Sequence, residues 1–551
     1  MSAIVTDQFR INNAGNFLGD VSNTTNSYYV FVGLSNPSVN GVPNAFGRNE
    51  SDAKWNDETT RKKPVDSINY LNHVRDTMIF GKKITPDNIR RVVRKINWVK
   101  DTTYDMYRHD YSSDNQAPNG QTSRLYDSNF YVINKDFNVY ICIDNGSSGI
   151  NTNGNASLNE PTLTGLEPFR ATGVTDDGYL WKYLFTVPPS DIIKFDATEF
   201  IPLPNDWATS TEINITNVRD NGNSEINNNQ IKKVFIEDSG TGYSGASGDG
   251  IEVEIVGDGS GGRAIVQVDT STKITDVQVS VGGKGYTYGV LNLTDLQPSS
   301  GANAKLIPII PPAKGHGSDI YKELGADRVL IYARFDDSTK DFPIDTKFAQ
   351  IGIVKNPTAI GSTEIFNQTQ YSSIKSLYLK TFPSASDIKI GDIIEQDVSG
   401  VGTSNVIGKA KAYVTSFDLI SEDSSNKIAV LKYYQDRSLY FNQTTGDQQD
   451  TIGINSISSD NNGQIYDFSP TGNITGTDGT NTYTLGINTT FSGITTNPTG
   501  TKIIDLGVEF KNGIAQSEIN NQSGDIIYLD NRQLITRDSR QKEDIKVILE
   551  F

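Results

Sequence analysis

The sequence is poor in the residues that carry most protein chemistry. Among 551 residues there are one cysteine, three histidines, three methionines and four tryptophans. A lone cysteine, Cys142 in the apolar run VYICI, forms no intramolecular disulfide and provides no zinc site, which needs several Cys or His ligands brought together. The chain reads as one that folds in a reducing compartment. Long apolar runs are also missing. The start, MSAIVTDQFRINN, has no basic stretch leading into an apolar one, and nowhere do ~18 apolar residues follow each other. Neither a cleaved secretion signal nor a membrane span is expected.

Positive charge is in deficit, at a net charge of −17. Nucleic-acid binding draws on Lys and Arg displacing counterions, so such a surface repels phosphate backbones. One local exception is the run Lys82, Lys83, Arg90, Arg91, Arg94, Lys95 and Lys100, which reads as a solvated or carboxylate-paired face. The histidines are scattered: His73, His109 in MYRHDY and His316 in AKGHGSD. No HExxH or His-x-His pair appears. The run GDGSGG at Gly257 lacks the Lys-Ser or Lys-Thr of a phosphate loop and reads as a β-turn. Gly-x-Ser-x-Gly is absent. No catalytic, cofactor-binding or metal residue is assigned, and no cofactor is expected.

What is plentiful is strand. The stretches SYYVFVGLS, NFYVINKDFNVYICIDN, DRVLIYARF, KIAVLKYYQ and the final DIKVILEF alternate or run apolar between Gly, Asn, Asp and Ser. VINKDFNVY reads as a hairpin turning at Asn134, Lys135 and Asp136. In DDGYLWKYLFTVPP, Tyr179, Trp181, Tyr183, Phe185 and Val187 share one face, while Leu180, Lys182, Leu184 and Thr186 share the other. Both faces are largely apolar, so the stretch is expected as a buried interior strand that ends at Pro188 and Pro189. A groove platform for a sugar is the rival reading of its rings.

Helix signals are few. PVDSINYLNHVRDTMIFG places Ile68, Leu71, Val74 and Met78 at helical spacing behind Asp66 or Ser67 as caps. TPDNIRRVVRK is read as a second, shorter helix capped by Thr85 with Pro86 in its first turn. The fold class is therefore mainly β with a few short helices (α+β), multi-domain, with a discontinuous β-sandwich-like core and inserted β domains; a chain of this length suits roughly three to five domains.

Two blocks differ from the rest. Between about residues 206 and 312 the chain is Gly-rich and repeats: VFIEDSGTGYSG at Val234 is echoed by VQVSVGGKGYTY at Val277, so that Gly240, Gly242 and Tyr243 correspond to Gly283, Gly285 and Tyr286. Between about 359 and 514, IKIGDIIEQDVSGVGTSNVIGKAKAYVTSFD reads as strands of a small barrel, followed by an Asn/Thr/Gly-rich part.

Outside those blocks the sequence resembles a known family. DDGYLWKYLFTVPP followed by EFIPLP, YVFVGLS, PVDS, INWVKDTTYDMY and RVLIYARFDDSTKDFPIDTKFAQIGIVKNPT resemble, in the same order, the gene product eight family of baseplate wedge subunits from T-even-like contractile-tailed bacteriophages. The most specific stretch is SGDIIYLDNRQLITRDSRQKEDIKVILEF, through Ser523, Gly524, Tyr528, Asn531 and Arg532. The resemblance covers about 1–205, 313–358 and 515–551, a little over half of the chain. It implies core segments 1–95, 313–358 and 515–551, a second β-rich domain at 96–205, and insertions at 206–312 and 359–514. It further implies a virion protein of the tail baseplate, assembled in the host cytoplasm, homodimeric and held by other wedge subunits. No enzyme activity, nucleic acid, membrane or small-molecule substrate comes with it. The rivals are a glycan- or receptor-binding module using Tyr243 and Tyr286, and a polysaccharide hydrolase of a phage tail.

Overall fold

The structure, a computed structural model, describes residues 5–33, 68–173, 175–220, 228–244, 250–299, 302–336, 347–398, 408–423, 426–435, 465–498, 500, 502–536 and 541–551. It is mainly β and multi-domain. The chain divides into two compact units, both discontinuous: 1–19, 89–331 and 546–551 in the first, 20–88 and 332–545 in the second.

The first unit is centred on a three-stranded antiparallel sheet of Tyr131–Ile133, Asn138–Asn145 and Tyr179–Thr186. The expected hairpin is present. Asn134 closes it by accepting the amides of Asp136 (3.0 Å) and Asn138 (2.9 Å). Tyr179, Trp181, Phe185 and Val187 are buried, as are Lys182 and Leu184 on the opposite face. Trp181 stacks on Tyr179 with centroids 5.2 Å apart. The buried-strand reading holds, with one correction: the strand is the last of its sheet rather than an interior one. Its outer edge is closed by Phe169, which exchanges two backbone hydrogen bonds of 2.8 Å with Trp181.

The second expected helix is not one. Pro86–Asn88 make a single 3-10 turn, and Ile89–Arg94 is a strand paired with Arg328–Ile331 and with Phe200–Pro202. The β-branched pair Val92 and Val93 is buried there, and packing of such side chains on a sheet outweighs the helical spacing. Conversely, the helix Asp7–Ser22 carries little helical signal. Only Ile11, Ala14 and Val21 bury fully, among Asn and Gly, and Thr6 Oγ1 caps it by accepting from Phe9 N.

The Gly-rich block is a module built by its repeat. Val234–Asp238 pairs with Lys305–Pro308, while Ile274–Lys284, Ser260–Val268, Ile251–Gly257 and Gly289–Leu291 form a four-stranded sheet. Each repeat tyrosine is buried and reaches across to the other copy's half. The Tyr286 hydroxyl accepts from Gly262 N (3.0 Å) and donates to Ile255 O (2.7 Å), and the Tyr243 hydroxyl accepts from Ala304 N (2.9 Å). Gly283 (φ +64°) and Gly240 (φ +58°) lie against the same amides, where an added Cβ would come within 2.6 Å of Gly262 N and 2.5 Å of Ala304 N respectively. At the carboxyl end, Val547 is buried and Leu549 and Phe551 are half-buried, Phe551 lying 5.6 Å from Phe17. The alternation expected of DIKVILEF is thus present but weakens toward the last residue.

The second unit is built on a five-stranded antiparallel sheet in the order Gln370–Ser372, Met78–Lys83, Tyr28–Gly33, Lys347–Lys355, Asp525–Thr536. The helix before it, Ile68–Thr77, stops one residue short of Met78, which begins a strand and packs beside Tyr29 and Phe31. The caps Asp66 and Ser67, and PVDS, lie outside the described residues. The barrel is present. Asn426–Tyr434, Gly408–Asp423, Ile393–Val398, Ile474–Thr477, Thr482–Ile487 and Lys375–Thr381 pair in sequence, and Lys375–Leu379 closes the ring on Ala429–Tyr433. Its two ends meet: Glu518 N donates to Ser372 O at 3.0 Å, and Ala359 bridges Ile519.

Candidate binding cleft

In the first unit a cleft of about 1210 Å³ lies between the helix Asp7–Ser22, the strand Ile89–Arg94 and the segment 312–323. Its floor is aromatic. Tyr107 is tied to the central sheet through its amide, which donates to Cys142 O at 2.8 Å. Trp207 is fixed at both ends, its indole donating to Gly317 O (2.9 Å) and its amide to the Tyr321 hydroxyl (3.2 Å). Tyr321 sits on the short helix Ile320–Glu323, capped by Asp319. Tyr126 reaches that helix by donating to Lys322 O (2.7 Å).

Beneath the floor is a buried pair. His316 Nδ1 and Glu323 Oε1 are 2.5 Å apart, Gly317 N donates to Glu323 Oε2 at 2.7 Å, and the His316 ring meets Tyr107 edge-on at 4.8 Å. Glu323 is therefore committed to its neighbours, as a buried carboxylate must be.

Arg91 differs from its neighbours Arg90, Arg94 and Lys95. Arg90 bonds Asp191 at 2.8 Å, Lys95 bonds Asp196 at 2.7 Å, Arg94 donates to the carbonyls of Tyr126 and Ser128, and Lys83 bonds Asn367. Lys100 is exposed. The Arg91 guanidinium has no ion-pair partner among the described residues, and its buried Nε has no hydrogen-bond partner. It lies over the Tyr321 ring, 3.8 Å from the centroid. Burial pulls it below the ordinary arginine value, with the charge of Tyr321 and then Asp319 opposing that shift. Gly15 lies beside this group, where a Cβ would stand 2.9 Å from Arg91 Nη2.

Tyr107 is the second unused donor. It is 7 % exposed, and its hydroxyl has no hydrogen-bond partner among the described residues. Burial pushes its phenol far above the ordinary value, reinforced by Glu323 and Tyr126, which line the same cleft. The hydroxyl stays protonated and able to donate.

The other sequence candidates resolve differently. Tyr243 and Tyr286 are buried and hydrogen-bonded, so neither ring offers a face to a sugar. Cys142 is buried, and burial raises its thiol well above the ordinary value. His109 Nδ1 accepts from Ile310 N at 3.2 Å, and the side chain of His73 lies outside the described residues. Among the described residues no group of three or more His, Cys, Asp or Glu could hold a metal ion, and no helix is long and apolar enough to cross a membrane. GDGSGG is the turn between two module strands, where Asp258 accepts from Thr287 and Tyr288.

Sequence reasoning missed the cleft. Arg91 was visible only as one member of a basic run and Tyr107 only as a neighbour of His109. No spacing signals that Trp207 and Tyr321 meet across 114 positions. No family model matches the chain, and no curated protein matches it.

Proposed function

We propose that the chain is a structural subunit of a contractile-tail baseplate wedge that links other wedge proteins during assembly and contraction. The observation that carries this reading is where the resembling stretches lie. Tyr28–Gly33, Lys347–Lys355 and Asp525–Thr536, drawn from three family-like blocks hundreds of residues apart, are adjacent strands of one sheet. Contact between the blocks is what a shared family core requires, and the odd block at 359–514 adds to that sheet only the edge strand Gln370–Ser372. The Gly-rich block adds no competing signal, because its repeat tyrosines and glycines are used in its own packing.

The test is co-expression with the genes that neighbour this one, followed by affinity purification and electron microscopy. Stoichiometric recovery of wedge subunits with this chain, as a homodimer within the wedge, is the expected result. A monomer that recovers none of them, while clearing host envelope polysaccharide in a zymogram, would replace the structural reading with the hydrolase one.

A further inference from the structure

We infer that the cleft of the first unit is a docking site for an extended peptide of another protein, anchored by a carboxylate on Arg91. The inference rests on the wedge reading only for where that peptide comes from. Arg91 supplies planar donors that match a carboxylate two-on-two, and no described carboxylate uses them. Stacking on Tyr321 at 3.8 Å holds the guanidinium flat, so little rotamer freedom remains to be lost on binding. The Tyr107 hydroxyl gives a further donor on the floor, and Trp207 and Tyr321 give apolar surface with their polar atoms already satisfied.

Size and charge decide the ligand class. At about 1210 Å³ the cleft exceeds the ~300–1,000 Å³ of ordinary small-molecule sites, so it suits a chain segment rather than a metabolite. Asp220, Asp319 and Glu323 also line it, but Asp220 pairs with Arg219, Asp319 with Lys322 and Glu323 with His316, so Arg91 and Lys314 are the lining cations without an ion pair among the described residues. Asn12 and Asn16 on the helix wall present amides that can pair with a peptide backbone.

The probe is an array of random decapeptides. Each is made once with Asp or Glu and once with Asn or Gln at the same positions, with free and amidated ends, and the array is developed with the full-length chain. Acidic or free-ended peptides should be retained about tenfold more tightly than their amides, as charge-assisted hydrogen bonds are stronger than neutral ones. Arg91→Gln should remove that preference. Tyr107→Phe, which deletes one oxygen and keeps the packing, should weaken retention about threefold at an unchanged melting temperature. Arg263→Gln, on an exposed pair with Glu252, should change nothing. Equal retention of acids and amides overturns the site, as does an equal loss in Arg263→Gln, wild-type binding by both cleft variants, or phosphate competing better than acetate. Array binding without recovery of wedge subunits leaves the cleft standing and removes the wedge reading; recovery of wedge subunits with a flat array does the reverse.

Discussion

The Gly-rich module and the barrel each enter and leave through adjacent points but are rooted differently. The Gly-rich module stands on Val234–Asp238 and Lys305–Pro308, where Ile309 N donates to Lys233 O at 2.9 Å. Those foot strands face two ways. Val234, Ile236 and Leu306 belong to the module's own core, while Phe235 belongs to the core of the first unit and Ile307 packs against it. Arg108, itself buried, lies over the Phe235 ring at 3.9 Å, and Lys233 pairs with Asp144 at 3.0 Å. The block that holds the barrel also touches the parent core, but only through its lead-in: Gln370–Ser372 joins the five-stranded sheet, and Tyr371 and Phe366 belong to the cluster of Tyr29, Phe31 and Val354. The barrel that follows has an interior, with Leu377, Leu379, Ala429 and Leu431, that shares no residue with that cluster. Close ends make an insertion geometrically removable; whether it is removable in energy depends on whose core its foot strands fill.

Excision is the largest test of that difference. Replacing 374–516 with a short Gly/Ser linker should leave a soluble chain with the five-stranded sheet intact, since loop closure costs grow only slowly with length. Replacing 233–309 should give insoluble or unfolded material, because it strips Phe235 and Ile309 from the first unit's core and leaves Asp144 without its lysine. Soluble yield and hydrogen exchange of the flanking strands decide. Equal tolerance of the two deletions would dissolve the distinction.

Single truncations sharpen it. Phe235→Ala should cost ~3–5 kcal/mol, and Leu431→Ala ~2–5 kcal/mol. The sizes overlap, so the reach of the damage is what separates them. Phe235→Ala should speed exchange both in the module and in Tyr131–Ile133, whereas Leu431→Ala should loosen the barrel while Tyr28–Gly33 keeps its protection. Spread of the Leu431→Ala effect into that sheet would show that the barrel is not self-contained.

A smaller pair of variants tests the repeat. Tyr286→Phe leaves Gly262 N and Ile255 O without the hydroxyl and should cost ~1–3 kcal/mol, while Tyr243→Phe orphans only Ala304 N and should cost ~1 kcal/mol. Chemical denaturation of the two variants gives the order. A larger loss for Tyr243→Phe would mean that the halves are not held as the hydrogen bonds describe.

These contrasts show how far the sequence could be read. The hairpin at Asn134, the buried rings of Tyr179 and Trp181, and the barrel strands were legible because period-two patterns and turn residues report local structure directly. Ile89–Arg94 misled because a proline after a capping threonine suits a helix start, and only pairing with Arg328–Ile331, more than two hundred positions away, decides for a strand. The helix Asp7–Ser22 was invisible because three buried residues among Asn and Gly leave almost no period. The repeat was legible as a repeat, but not the exchange of tyrosines between its halves. The cleft was not legible at all: an arginine without a partner is a property of everything around it, not of its neighbours in sequence.

The smallest expected effect separates the two blocks at their turns. Asp478 accepts from Thr480 N (2.8 Å) and Asn481 N (2.6 Å), which hold its carboxyl down to about 2. Asp258 accepts from Thr287 N (2.9 Å) and Tyr288 N (3.2 Å), and the Thr287 hydroxyl and amide keep it below the ordinary aspartate value. Both carboxylates are more acidic folded than unfolded. Their contribution is therefore complete above the unfolded value of about 4. For Asp478 it is lost as pH falls from about 4 through about 2. The partners differ in reach, since Asp478 ties only its own hairpin, whereas Asp258 joins positions 29 apart in the two halves of the repeat. Following amide proton shifts by NMR during acid titration, Thr480 and Asn481 should move with a midpoint near 2, with neighbours beyond Thr477 and Thr482 unaffected. Thr287 and Tyr288 should move together with Gly283 and Tyr286, because releasing Asp258 frees the loop that seats the Tyr286 ring. Asp478→Ala should abolish the first inflection and leave the second, and Asp258→Ala the reverse. A barrel-wide response to Asp478, or a purely local one to Asp258, would invert the claim that the module is the cross-linked block and the barrel the modular one.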